Sequence, residues 1–156
     1  MSEEVHAEPE AARSRSQRRI DTLAKLRTDI DVWVASADEV GGAHLVPLSY
    51  CWDDSTLTIA TPRASRTATN LVRAGWARIA LGPTRDLVIV AGPLEAIPIG
   101  TDTRLEDGHA QAAGFDPRTL VEEYIYLRIT PQNIQAWREA NELPDRQLMR
   151  KGEWLG

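Results

Sequence analysis

The chain has 156 residues, 42% of them hydrophobic and 26% charged, enough for one domain with its own core. A formal charge of −5 at pH 7 argues against a general nucleic-acid binder, because cation contacts to phosphate supply most of such affinity. One cysteine, Cys51, excludes an internal disulfide, no apolar run approaches the roughly 18 residues of a membrane helix, and the opening Met-Ser-Glu-Glu lacks an export pattern, so a cytoplasmic protein without membrane contact is expected.

Residues 1–16 are polar and acidic with few apolar anchors and read as a mobile tail ahead of a single domain at 17–156. The cluster Arg13, Arg15, Arg18 and Arg19 reads as a solvated helix start. Over 17–28, Ile20, Leu23, Ala24 and Leu26 suit a helix packed by one face. Residues 31–36 and 44–50 then read as a hairpin joined through Gly41 and Gly42. Pro47 cannot donate to a ladder, so it marks an edge or a bulge, where a planar ligand could approach the backbone. A turn at 52–55 returns the chain to a third strand around Leu57 and Ile59.

Past Pro62 the spacing of Ala68, Leu71 and Val72 changes to that of a helix, with Ser65 at the N-cap and Gly75 as a left-handed stop. Residues 77–81 form a fourth strand, and 87–91 a fifth that is apolar on both faces and so must be covered. Leu105, His109, Ala112 and Ala113 suggest a helical excursion over 101–114, interrupted at Gly108. Residues 124–130 alternate as a sixth strand. The closing segment is turn-rich, and its Trp137 and Trp154, with Arg138, Arg146 and Arg150, fit either a subunit interface or the bottom of the monomer's own barrel. Short antiparallel strands with sparse helices imply a mainly β fold, a closed or nearly closed six-stranded barrel.

The machinery of a hydrolase is absent. His6, His44 and His109 are far apart, no acidic or cysteine cluster has metal spacing, and neither Ser49 nor Ser65 sits in a Gly-x-Ser-x-Gly turn. No Gly-x-Gly-x-x-Gly points to a dinucleotide fold. The start of the second helix is different: its free N–H groups, Arg63 and Arg66, and the hydroxyls of Thr61 and Thr67 could together hold a phosphate. The same residues also describe an ordinary capped helix with two solvated arginines. An anion site without acid–base groups suits a protein whose cofactor does the chemistry.

The run Ala60-Thr61-Pro62-Arg63-Ala64-Ser65-Arg66-Thr67 opening a helix, Asn70-Leu71 after it, and the close Thr130-Pro131-Gln132-Asn133-Ile134-Gln135-Ala136-Trp137, Arg146-Gln147-Leu148-Met149-Arg150 and Trp154 resemble the pyridoxamine 5′-phosphate oxidase-like family of flavin-binding split barrels. The resemblance implies a homodimer with FMN, or alternatively a deazaflavin coenzyme, bound at the subunit interface, and hydride transfer to or from a small organic substrate. It implies that Thr61, Ser65 and Arg66 hold the phosphate, that Val46, Pro47, Leu48 and Ser49 lie along the ring, and that Trp137 and Arg146 come from the neighbouring subunit. Vitamin B6 oxidases of this type carry a lysine where Thr67 stands and a His-Arg pair where Asn141-Glu142 stands. A deazaflavin-dependent reductase, with Arg63, Arg73 and Arg85 serving an acidic tail, and a cofactor-binding protein without turnover are therefore the alternatives.

Overall fold

The computed structural model describes residues 10–156. The part of the expected tail at residues 1–9 lies outside the described residues. Helix α1 (Arg15–Thr28) starts with Ser14 as N-cap, its hydroxyl accepting from Gln17 N at 3.1 Å. Its buried row is Arg18, Thr22 and Leu26, while Ile20 is exposed. The apolar face expected there is thus turned, because the Arg18 guanidinium donates to the carbonyls of Glu142 (2.8 Å) and Pro144 (3.2 Å) and is drawn inward. The arginine cluster is solvated only in part: Arg19 is exposed, whereas Arg18 is buried and Arg13 donates through N, Nε and Nη2 to Glu142.

Six strands close the barrel. β1 (Asp31–Ala37) pairs with β2 (Ala43–Trp52), β2 with β3 (Leu57–Pro62), β3 with β6 (Tyr124–Ile129), β6 with β5 (Leu87–Pro98), β5 with β4 (Trp76–Leu81), and β4 with β1, all antiparallel. Val34, Leu57, Ile59, Ile79, Val90, Leu127 and Ile129 fill the interior with no exposed surface. Helix α2 (Arg66–Ala74) sends Ala68 and Leu71 into the same core. No described helix is long and apolar enough to cross a membrane.

β5 serves two partners along one edge, β7 (Asn133–Trp137) over residues 87–91 and β6 over 94–98. The change falls at Gly92, where a Cβ would collide with the Thr130 carbonyl, so only glycine lets the strands cross over so closely. Beyond β7, β8 (Gln147–Arg150) and β9 (Glu153–Trp154) extend the sheet. The segment expected to be turn-rich therefore holds three short strands. Helix α3 (Thr103–Ala113) runs through Gly108 without the expected interruption, because docking on β2 compensates for the glycine's poor helix propensity.

Between β2 and β3 the barrel is only partly zipped, for a reason written in the chain. Their pairing runs from Trp52↔Leu57 to Tyr50↔Ile59 and stops. Tyr50 donates its N–H to Ile30, and Arg63 donates to Glu123, so by alternation odd residues of β2 and even residues of β3 aim their backbone groups at each other. Continuing the register would set Pro47 against Pro62, where each position needs an N–H and neither has one. The strands part instead, and the gap becomes a cleft.

Candidate cofactor site

The junction from β3 to α2 forms as its local chemistry dictates. Ser65 is extended at φ −67° and ψ 155°, and its Oγ accepts from Ala68 N at 3.1 Å. The same Oγ lies 3.1 Å from Thr61 Oγ1, so the two hydroxyls form one unit. Gly75 ends the helix at φ 66°. No acidic residue occupies the first turn of α2, whose positive dipole end is thus left for an anion.

Arg66 is exposed, and among the described residues no carboxylate lies within ion-pair distance of it. Asp38, at the tip of the β1–β2 hairpin, is held below the usual carboxylate range by the N–H groups of Gly42 and Val40, with Arg73 and Arg66 adding to the effect. The hairpin is tied to α2 by Asn70 donating to Ser36 Oγ at 3.1 Å and by Arg73 donating to the Ala37 carbonyl. Arg63 is engaged at the surface by Glu123 at 3.1 Å, and the Thr67 side chain is buried.

The cleft at the split has a volume of about 300 Å³ and is lined by Pro47, Leu48 and Ser49 of β2, Ala60 and Pro62 of β3, and Phe115 and Tyr124, with Asp31 at its edge. Val46 and Leu48 are half-buried and pack on the core, which fixes this stretch of β2. Ser49 Oγ donates to Asp31 Oδ1 at 2.7 Å. Phe115 and Tyr124 meet edge to face with centroids 6.3 Å apart.

Trp137 and Arg146 stand together elsewhere. The guanidinium of Arg146 lies 5.9 Å from the Trp137 ring centroid and donates to the Leu143 carbonyl at 3.2 Å. Trp137 sits on β7 opposite Leu87, and within one chain neither residue bonds to the α2 start.

Sequence reasoning passed over the residues behind the cleft. His109 of α3 has no exposed surface, and neither ring nitrogen has a hydrogen-bond partner. It lies edge-on to Phe115 (5.8 Å) and Tyr126 (5.5 Å), whose buried hydroxyl is equally unpartnered. Burial lowers the His109 pKa, and burial pushes the Tyr126 phenol up to about 12. The signal available was the helical spacing of His109 after Leu105, which places both on the docked face.

Cys51 is half-buried, and burial and Asp53 raise its pKa, which is the opposite of an activated thiol. Among the described residues no group of three His, Cys, Asp or Glu side chains could hold a metal. The donors at the α2 start, two hydroxyls, helix N–H groups and an arginine without an ion pair among the described residues, fit a phosphate monoester, and the cleft that reaches Pro62 of the preceding strand is large enough for part of a planar ring.

A six-stranded barrel that parts along β2 and β3 defines this chain as a split β-barrel protein. Residues 23–150 match the family model described as pyridoxamine 5′-phosphate oxidase, and the chain belongs to that family. Among solved structures, a conserved hypothetical protein of Mycobacterium tuberculosis is similar at TM-score 0.65 and 14% identity, over 88% of this chain and 92% of that one. An F-420 reductase is similar at TM-score 0.60 and 12% identity, over 71% and 93%. A pyridoxamine 5′-phosphate oxidase-related, FMN-binding protein of Nostoc punctiforme is similar at TM-score 0.50 and 17% identity, over 78% of each chain. At these identities the likeness is one of fold. No curated protein matches the sequence.

Proposed function

We propose that the protein is a cytoplasmic homodimeric oxidoreductase that binds FMN or a deazaflavin coenzyme and transfers hydride between the cofactor and a small organic substrate. The observation that carries this reading is the capped, acid-free start of α2, with Arg66 free of ion pairs among the described residues, at the end of the strand whose Pro62 lines the cleft at the split. The bound ring would supply the hydride chemistry. Thr61, Ser65 and Arg66 hold the phosphate by hydroxyls, helix N–H groups and charge, and Pro47 to Ser49 bound one side of the ring. Phe115 and Tyr124 shield the cleft from water.

A second copy is supported by the outer face of β4, β1 and β2. Trp33 is 49% exposed, Leu45 60% and Trp76 42%, and the register puts Trp33 beside Pro47 and Ala80 on that face. Such an apolar sheet face marks an interaction surface. A partner seated there would bring a second Trp137–Arg146 pair to a site that one chain leaves open.

The phosphate assignment is tested with Arg66→Ala, titrated with FMN and with a deazaflavin cofactor. Losing one charge-assisted hydrogen bond weakens binding by about 1.5–3 kcal/mol, roughly 10- to 100-fold. Dimer mass is expected to stay unchanged. Equal affinity in the variant would remove Arg66 from the site.

A further inference from the structure

Helix α3 stands on a core of its own. Its Leu105 packs against a small cluster of Ala60 on β3, Ile97 on β5 and Tyr126 on β6, separate from the cluster that fills the barrel. Gly108 in its middle weakens it as a helix, and Gly114 ends it in the left-handed conformation at φ 77°. A helix seated on a satellite cluster can leave without opening the main core. The next residue, Phe115, lines the cleft, so α3 takes part of that wall with it.

The contact that holds α3 down includes a group that acid can charge. His109 has no exposed surface, and neither its ring nitrogens nor the Tyr126 hydroxyl has a hydrogen-bond partner. The charged groups around it are engaged elsewhere. Glu106, one turn earlier, accepts from Gly100 N at 2.8 Å and Asp102 N at 3.3 Å. Asp116 is held by Arg118 Nε at 2.9 Å, and Arg118 also reaches Asp107 at 2.8 Å. Arg128, two residues beyond Tyr126 on β6, pairs with Glu95 at 2.7 Å and Asp102 at 3.7 Å. Cys51 of β2, beneath Gly108, and Tyr126 both have pKa values raised by burial and stay neutral. Among the described residues no carboxylate lies within ion-pair distance of His109. An imidazolium in that position has neither water nor a counter-ion, whereas on a released helix water solvates it.

We infer that α3 is an acid-released flap on the cleft, in which protonation of His109 favours a form where the helix and Phe115 have left the barrel. Its bearing on a ligand rests on the flavin-type site proposed above, and the release itself does not. An exposed imidazole takes up its proton near pH 6.5 and the docked one resists it, so opening is rare above that pH and grows as pH falls below it.

Backbone hydrogen exchange of the full-length protein, divided by the intrinsic rate at each pH, is compared at pH 7 and pH 5 in wild type, His109→Phe and His109→Gln. Phenylalanine keeps the edge contacts, and glutamine keeps a polar side chain that does not titrate. In wild type, residues 104–113 are expected to exchange about 5- to 25-fold faster at pH 5, the upper figure being the full protonation of an imidazole of pKa 6.5 in the open form alone. Either variant should change by less than about twofold, and β5 should exchange more slowly than α3 at both pH values. No acceleration in wild type, the same acceleration in both variants, or a single rate shared by α3 and β5 would overturn the flap. Saturating FMN should slow exchange in α3. FMN that binds and leaves that exchange unaltered would overturn the part of α3 in the site, whereas FMN that does not bind would overturn the site, with the pH comparison still deciding the release.

Discussion

Glu142 is the residue through which α1 holds the far end of the sheet, and Glu142→Gln tests that role. Its side chain is 3% exposed and accepts from Arg13 N and Nε at 2.9 Å, Arg13 Nη2 at 2.7 Å and Arg138 N at 2.8 Å. Hydrogen bonds from Arg13 hold the carboxyl near a pKa of about 2 against an ordinary 4.5. At about 1.4 kcal/mol per pKa unit that difference corresponds to roughly 3 kcal/mol of folding stability. Glutamine keeps the shape but sets an N–H donor against arginine donors, leaves the buried Arg18 without its counter-charge and leaves Arg13 with Asp21 alone.

Urea unfolding at pH 7, followed by tryptophan fluorescence, is expected to show Glu142→Gln less stable by about 2–3 kcal/mol. A depressed carboxyl pKa stabilises the fold fully above pH 4.5, and this contribution disappears as pH falls through about 2. The gap between wild type and variant should therefore close over that window. A variant equal to wild type at pH 7, or a gap that persists unchanged at pH 2, would refute the assignment. The consequence for function is positional: the loop held by Glu142 connects Trp137 with Arg146, so loosening it should also weaken cofactor binding in a dimer completed by that pair.

Other outcomes follow from single contacts. His109 is buried with a lowered pKa, so the unfolded chain takes up a proton that the fold resists, and stability should fall as pH drops below about 6.5; His109→Phe should flatten that dependence in urea titrations at pH 7 and 5, and an unchanged slope would exclude His109 as its source. Trp33→Glu puts a charge on the proposed subunit face and should give a monomer by analytical ultracentrifugation with cofactor affinity reduced, whereas an unchanged mass would move the interface elsewhere. Gly92→Ala forces a methyl into the Thr130 carbonyl and should lower stability by about 1–3 kcal/mol in thermal unfolding, and an unaltered midpoint would show that the crossing of β5 relaxes freely.

The parts of the site legible in the sequence were those governed by near neighbours. Ser65 caps and Gly75 stops α2 through contacts of three or four residues, so residue identity alone placed them. The six barrel strands were legible for the same reason, from short alternating runs or, at 87–91, from an apolar run bounded by turn residues. β7, β8 and β9 were not, since runs of five, four and two residues with a register shift at Ile134 and Gln135 are too short for a period to emerge. Arg18 looked solvated because its partners, the carbonyls of Glu142 and Pro144, lie more than 120 residues away.

The split is the instructive case, because each half of its cause was in view and their product was not. Pro47 could be read as an edge or bulge marker from its missing N–H, and Pro62 as the point where strand spacing gives way to helix spacing. What opens the barrel is that both fall at hydrogen-bonding positions of one register, which only the observed pairing of Tyr50 with Ile59 reveals. Two opposed prolines bring no donor to that rung, and the Pro62 carbonyl accepts from Ser65 N at 2.9 Å instead. Pairing ends at Tyr50↔Ile59, ahead of that rung, and the proline rung gives the strands no bond for which to rejoin.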